Sequence, residues 1–184
     1  MHDYIAFLRG INLGRRRPPM TELRAIFEEM KFSHVSTFIA SGNVTFSSKI
    51  ADSRKLEKRI ESQLAKSLGY DVDTFVRNRA EVAAVAAFRP FTKADMDQPA
   101  HTVFAIFLKE GLRADQASHL LACRTSVDEF SVNGREFYWL CRIKSNESKV
   151  WASLQMRALK LPTTTMRNLT TVRKLAALCP TPVG

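Results

Sequence analysis

RGINLGRRRPPM, residues 9–20, follows the apolar run YIAFL at residues 4–8. Arg9, Asn12, Arg15, Arg16 and Arg17 could grip phosphate, because guanidinium groups bind it through paired, charge-assisted hydrogen bonds. Pro18 and Pro19 then stiffen the approach to a helix expected from Met20. The first N–H groups of such a helix favour an anion. The stretch meets neither the G-x-x-x-x-G-K-[ST] phosphate loop nor the G-x-G-x-x-G dinucleotide pattern. It equally suits a solvated loop, with Gly10 and Gly14 for turning and arginine for solubility.

Three more stretches carry polar groups at positions where a ligand could be held. Ser41, Gly42 and Asn43 form a turn composition whose side chains can bond a ligand or their own backbone. In ESKVW, residues 147–151, Ser148 reads as a helix N-cap and Lys149 falls in the first turn. The helix dipole disfavours a cation there unless an anion joins it or the side chain extends into water. In TTTMRNLTTVRKL, residues 163–175, hydroxyls surround Arg167 and Asn168, with Thr170 or Thr171 expected to cap the last helix.

Other chemistries find less support. His2, His34, His101 and His119 are scattered, with no H-x-x-x-H or C-x-x-C pair, so no metal site is expected. Cys123, Cys141 and Cys179 are odd in number and far apart, which suits thiols of a reduced compartment. No nucleophile signature, paired-carboxylate motif or cofactor fingerprint appears. Phe137, Tyr138 and Trp139 lack the glycine pattern of an RNA-stacking strand, and core packing is the better reading. No apolar run approaches the roughly 20 residues of a membrane-spanning helix, and residues 1–10 do not read as a secretory signal. A cytoplasmic protein is expected.

The formal net charge is +10. The excess concentrates in two places. One is the loop from Arg9 to Arg24; the other is the stretch after Cys141, where Glu147 is the single acid. Concentrated positive charge attracts phosphates and nucleic acid. It also serves solubility.

Apolar periodicity defines the elements that must position these residues. Strand patterns at 4–8, 35–40, 43–48 and 71–77 alternate with helical patterns from Met20 and over 53–68, an order β-α-β-β-α-β. Residues 101–108, 112–122, 127–132, 135–141, 149–159 and 163–167 repeat that order, and 169–178 reads as a C-terminal helix. Asn133-Gly134 signals a tight type I′ hairpin turn. The expected fold is α+β: two similar ferredoxin-like halves, residues 1–78 and 101–184, joined by a helix and linker over 79–100.

RGINLG, PMTELR, ASGNVTF and the late block SK…TTTMRN…TVRKL resemble the bacterial domain-of-unknown-function family 1697. That family carries RGINVGG, a PMaeLR helix start, qSGNVvF, an SKL segment and a TTRNWNTV-KL tail. The resemblance implies a cytoplasmic bacterial protein of two similar α/β halves and no known activity. This chain departs from the pattern at Arg15 for Gly, Leu169 for Trp and Thr170 for Asn. The signature residues are expected to meet in one basic cleft between the halves that takes a phosphate-bearing ligand, nucleic acid ahead of a free nucleotide. An enzyme acting on a small phosphorylated substrate and a basic protein-interaction module are the alternatives.

Overall fold

The computed structural model describes residues 1–12, 17–38 and 42–178. Arg15, Arg16, Ser41 and Cys179 of the sequence reading lie outside them. The chain divides into two compact units, Met1–Ala83 and Ala84–Leu178, and the division falls inside a helix.

The first unit runs β1 (His2–Arg9), α1 (Met20–Glu29), β2 (Ser33–Phe38), β3 (Asn43–Ser48), α2 (Ser53–Leu68) and β4 (Asp73–Asn78). The strands pair in the order β2-β3-β1-β4, every neighbour antiparallel. This is the split β-α-β arrangement of a ferredoxin-like half, with β3 inserted between the parallel pair β1 and β2. Leu23, Ile26 and Phe27 of α1 and Leu56, Ile60 and Leu64 of α2 are buried. They pack with Tyr4, Ala6, Leu8, Val44, Phe46 and Val76 of the sheet. Alternation along a strand accounts for the choice, since every second side chain faces the helices. The Asp52 carboxylate caps α2, accepting from Arg54 N (2.9 Å) and Lys55 N (3.3 Å).

Strand β4 lies at the edge, where outward N–H groups would be left unpaired. Carboxylates take them. Glu61 accepts from Thr74 N (2.9 Å), Glu57 from Val76 N (2.9 Å) and Glu81 from Asn78 N (2.8 Å). Glu57 is only 3% exposed, so this bond satisfies a buried charge and a strand edge together.

A helix, α3 (Arg79–Ala87), leaves β4 directly and ends inside the second unit, followed by the short α4 (Lys93–Asp97). The second unit continues with β5 (Thr102–Leu108), α5 (Ala114–Ala122), β6 (Asp128–Asn133), β7 (Glu136–Cys141), α6 (Leu154–Ala158), β8 (Thr164–Asn168) and α7 (Leu169–Leu178). Its sheet order, β6-β7-β5-β8, repeats the first. So does its register. Leu8 N donates to Gly42 O (2.8 Å) in one sheet, and Leu108 N to Arg135 O (3.0 Å) in the other. The helix α7 follows β8 as α3 follows β4, so the C-terminal helix has a counterpart in the first half. Phe137 and Trp139 join the second core, where Trp139 stacks on Phe104 (4.9 Å) and meets Trp151 edge-on (5.3 Å). Tyr138, on the other face, is buried against Phe88 (5.1 Å).

The structure corrects four local expectations. The 133–134 turn is centred one residue later: Asn133 pairs with Glu136, and Gly134 with Arg135 forms the loop. Gly134 has φ +61° and Arg135 does not share the positive φ, so the turn fits type II′ and not I′, which needs both. The expected helix over 149–159 is a 3₁₀ turn, Val150–Ala152, and α6, separated by Ser153 in an extended conformation. Ser153, not Ser148, caps α6, accepting from Met156 N (3.2 Å). The cap at the start of α7 is Asn168, whose Oδ1 accepts from Thr170 N (2.8 Å), in place of the expected threonine.

Candidate functional site

Two of the sequence motifs meet at the end of the first sheet where β1 leaves it. Ile11 turns back into the core at 2% exposure, and its carbonyl accepts a long bond from the Tyr70 hydroxyl (3.5 Å). Gly42 lies against it. A Cβ on Gly42 would stand 2.7 Å from Ile11 Cγ2 and 3.2 Å from Leu8 Cβ, and its φ of +72° disfavours any other residue. Thus the RGIN turn and the Gly42–Asn43 turn pack together with no room for a side chain between them. Asn43 opens β3 opposite Phe7 and is 1% exposed. Its Nδ2 donates to Phe38 O (3.1 Å), which ties off the β2–β3 connection.

Polar groups flank this locked pair along the chain. The Arg9 side chain is half-exposed and pairs with Asp73 (3.2 Å), its neighbour across β1 and β4. Asn12 is half-buried, and Arg17 is exposed. Pro19 starts α1, and its carbonyl accepts from Glu22 N (3.0 Å) and Leu23 N (3.1 Å). The N-cap position is Pro19, whose side chain makes no capping bond, and Glu22 brings a negative charge into the first turn. The first N–H groups of a helix have no intrahelical acceptor, so this end retains donors.

The second unit does not bring its four candidates together. Ser148 Oγ donates to Asp128 Oδ1 (2.7 Å), which also accepts from Trp139 Nε1 (2.8 Å). Asp128 is 2% exposed, so Ser148 serves a buried polar hub on the helix-covered face. Lys149 is exposed before a three-residue 3₁₀ turn, too short for the dipole argument to apply. Arg167 lies on β8 opposite Ala105, on the other face of the sheet from Trp139. Three strand spacings separate β6 from β8, about 14 Å. Arg167 is 9% exposed and donates from Nη1 to Thr165 Oγ1 and Met166 O, both 2.8 Å. Burial pushes its guanidinium down to about 10, which leaves it charged at neutral pH. Asn168 is exposed and caps α7.

A family model described as a protein of unknown function, DUF1697, matches residues 1–138. The chain belongs to DUF1697. That span contains the RGIN and Gly42–Asn43 motifs and stops within β7, before Ser148, Lys149, Arg167 and Asn168. The solved structure of "conserved bacterial protein SP0830 from Streptococcus pneumoniae" shares this fold. Its TM-score is 0.72 at 22% identity, over 97% of this chain and 98% of that one. No functionally curated protein matches the chain.

This DUF1697 chain also holds an organised group of side chains that no sequence motif marks. Asp95 of α4 receives Arg142 through Nε (2.9 Å) and Nη2 (3.1 Å), and Arg142 also reaches Glu129. The Arg142 guanidinium beside it holds the Asp95 carboxyl below the usual range. No spacing along the sequence links positions 95, 129 and 142, so only the fold reveals them. Among the described residues no group of three or more His, Cys, Asp or Glu could hold a metal. None of the described helices is long and apolar enough to cross a membrane.

Proposed function

We propose that this protein binds a phosphate-bearing ligand, nucleic acid in preference to a free nucleotide, at the RGIN turn and the arginines that follow it in the sequence. The observation that supports the reading is the seating of Gly42 against Ile11 and Leu8. It seats two polar turns side by side at one sheet end, with Arg9 and Asn12 on either side of Ile11 in the chain and Arg17 shortly before α1. Guanidinium groups close in sequence to a turn that is held against the sheet end suit contact with a sugar-phosphate backbone, which sets position and charge without reading bases. No group here acts as nucleophile or general base in this reading, and no reaction is assigned.

Fluorescence anisotropy with labelled single- and double-stranded DNA and RNA tests it, from low to physiological salt. Arg15→Ala, Arg16→Ala and Arg17→Ala combined serve as the comparison. The proposal expects binding that survives physiological salt, falls linearly in log salt and flattens in slope when the three charges are removed. Binding confined to low salt and indifferent to the triple change would reduce RRR to a surface loop.

A further inference from the structure

The second unit contains a basic pocket that the motifs did not indicate. Arg89, Phe91, Lys93, Met96, Asp97 and Arg173 line a cavity of about 360 Å³. That is within the range of small-molecule sites. Three cations face it against one carboxylate. Among the described residues none of these four charged groups makes an ion pair.

Arg173 is the under-served member. Its Nε donates to Ala86 O at the end of α3 over 3.3 Å, while Nη2 is shut away from solvent without a hydrogen-bond partner. Burial and the neighbouring Arg89 charge push its guanidinium down, opposed by Asp97. Buried guanidinium donors are costly to leave unpaired, and like charges crowd only at a cost. An anion seated among Arg89, Lys93 and Arg173 relieves the crowding of like charges. Phe91 and Met96 supply an apolar wall beside it, suited to a flat ring.

The pocket is also held in shape. Its floor is α4, capped by Thr92, whose Oγ1 accepts from Asp95 N (3.1 Å). The bidentate Arg142–Asp95 pair ties that helix to the sheet. His101 Nδ1 lies 3.0 Å from Asp95 O on the other side. Lys93 and Met96 are therefore presented by an anchored turn and not by a free linker.

We propose that Arg89, Lys93 and Arg173 form a phosphomonoester site, with Phe91 and Met96 receiving a planar group, so that the ligand class is a mononucleotide or an aryl phosphate. This proposal does not rest on the arginine-tract reading.

Isothermal titration calorimetry on the full chain tests it, using AMP, GMP, CMP, UMP and phenyl phosphate at millimolar concentration, with adenosine and inorganic phosphate as partial probes. At least one phosphomonoester is expected to bind saturably, with adenosine and inorganic phosphate each at least about tenfold weaker. Losing one charge-assisted contact costs about 10- to 100-fold, which is the drop expected for Arg173→Gln. Arg173→Lys, which keeps the charge but not the fork, should recover part of the affinity. Equal melting temperatures for the two variants keep folding out of the comparison; if Arg173→Gln melts early, Lys93→Gln carries the same expectation. The Arg15, Arg16 and Arg17 triple change should leave this binding intact. No saturable binding of any phosphomonoester overturns the proposal. So does binding that ignores Arg173→Gln and Lys93→Gln, or that disappears with the arginine tract.

Discussion

Arg77 and Arg167 hold the same place in two different sheets. Arg77 lies opposite Ile5 on β1 and Arg167 opposite Ala105 on β5. Each donates from Nη1 to the carbonyl just before it, at 3.0 Å to Val76 O and 2.8 Å to Met166 O. Each precedes an asparagine whose Oδ1 accepts a helix N–H, Glu81 N (2.9 Å) in one unit and Thr170 N (2.8 Å) in the other. The repeat therefore extends from element order to individual side chains. Arg77, at 1% exposure, is among the largest fully buried side chains.

Removing either arginine should hurt its own unit. Arg77→Ala and Arg167→Ala each leave a cavity and strand the polar groups that the guanidinium served, at a cost of about 3 kcal/mol. Arg→Met at either place keeps the volume and should cost less. Urea unfolding followed by circular dichroism measures both pairs. Equal losses for Ala and Met would mean that the charge, and not the fit, matters.

Gly42→Ala should lower stability by about 1–3 kcal/mol, because it adds left-handed strain and a methyl 2.7 Å from Ile11 Cγ2. Ile11→Ala made together with it relieves the closest contact, so the double change should cost less than the sum of the two singles. A thermodynamic cycle from urea midpoints reads this coupling. Simple additivity would show that the two turns do not press on each other.

Replacing Glu57 by Ala should destabilise the first unit by about 2 kcal/mol, since Val76 N then loses its acceptor at a buried strand edge. Hydrogen exchange at the Val76 amide is the direct readout. It should accelerate in Glu57→Ala while the Ala6 amide changes less.

The Asp95–Arg142 pair gives a pH dependence with a definite sign. The folded state lowers the Asp95 carboxyl below its ordinary value of 3.8, so its contribution is complete above that value. It is lost as pH falls toward the folded value, because the unfolded chain binds the proton first. Asp95→Asn should therefore cost about 1 kcal/mol at neutral pH. Its stability curve should also be flatter than that of the unaltered chain just below pH 4. Parallel curves would remove the pair from the acid response.

Much of the fold was legible because core-facing residues recur at helix or strand spacing. Leu56, Ile60 and Leu64 are four apart and buried, and residues 53–68 form the helix that this spacing implies. The stretch 149–159 misled because its apolar residues suit a helix, while Ser153 prefers to cap and breaks it in two. The candidate site was legible only as fragments. Ile11 and Gly42 are far apart in sequence, and nothing local at either position announces that a Cβ on Gly42 would stand 2.7 Å from Ile11 Cγ2. Ser148 reads as a helix cap because a hydroxyl before a helical pattern usually is one; its partner, Asp128, opens β6, 20 residues earlier in the chain. Arg173, Arg89 and Lys93 were invisible as a group, since two flank a short turn and the third lies on the last helix.

The central claim is that the RGIN turn, its Gly42 neighbour and the arginine tract are the contact surface for a phosphate-bearing ligand. Amide ¹H–¹⁵N correlation spectra, recorded while an unlabelled single-stranded oligonucleotide is added at physiological salt, test it residue by residue. The account predicts that the amides of Gly10, Ile11, Asn12 and Gly42 move together and saturate, and that the Arg15, Arg16 and Arg17 triple change to alanine abolishes the movement. Amides of residues 9–12 and 42–43 that stay fixed while others shift, or that shift identically in the triple variant, would contradict it.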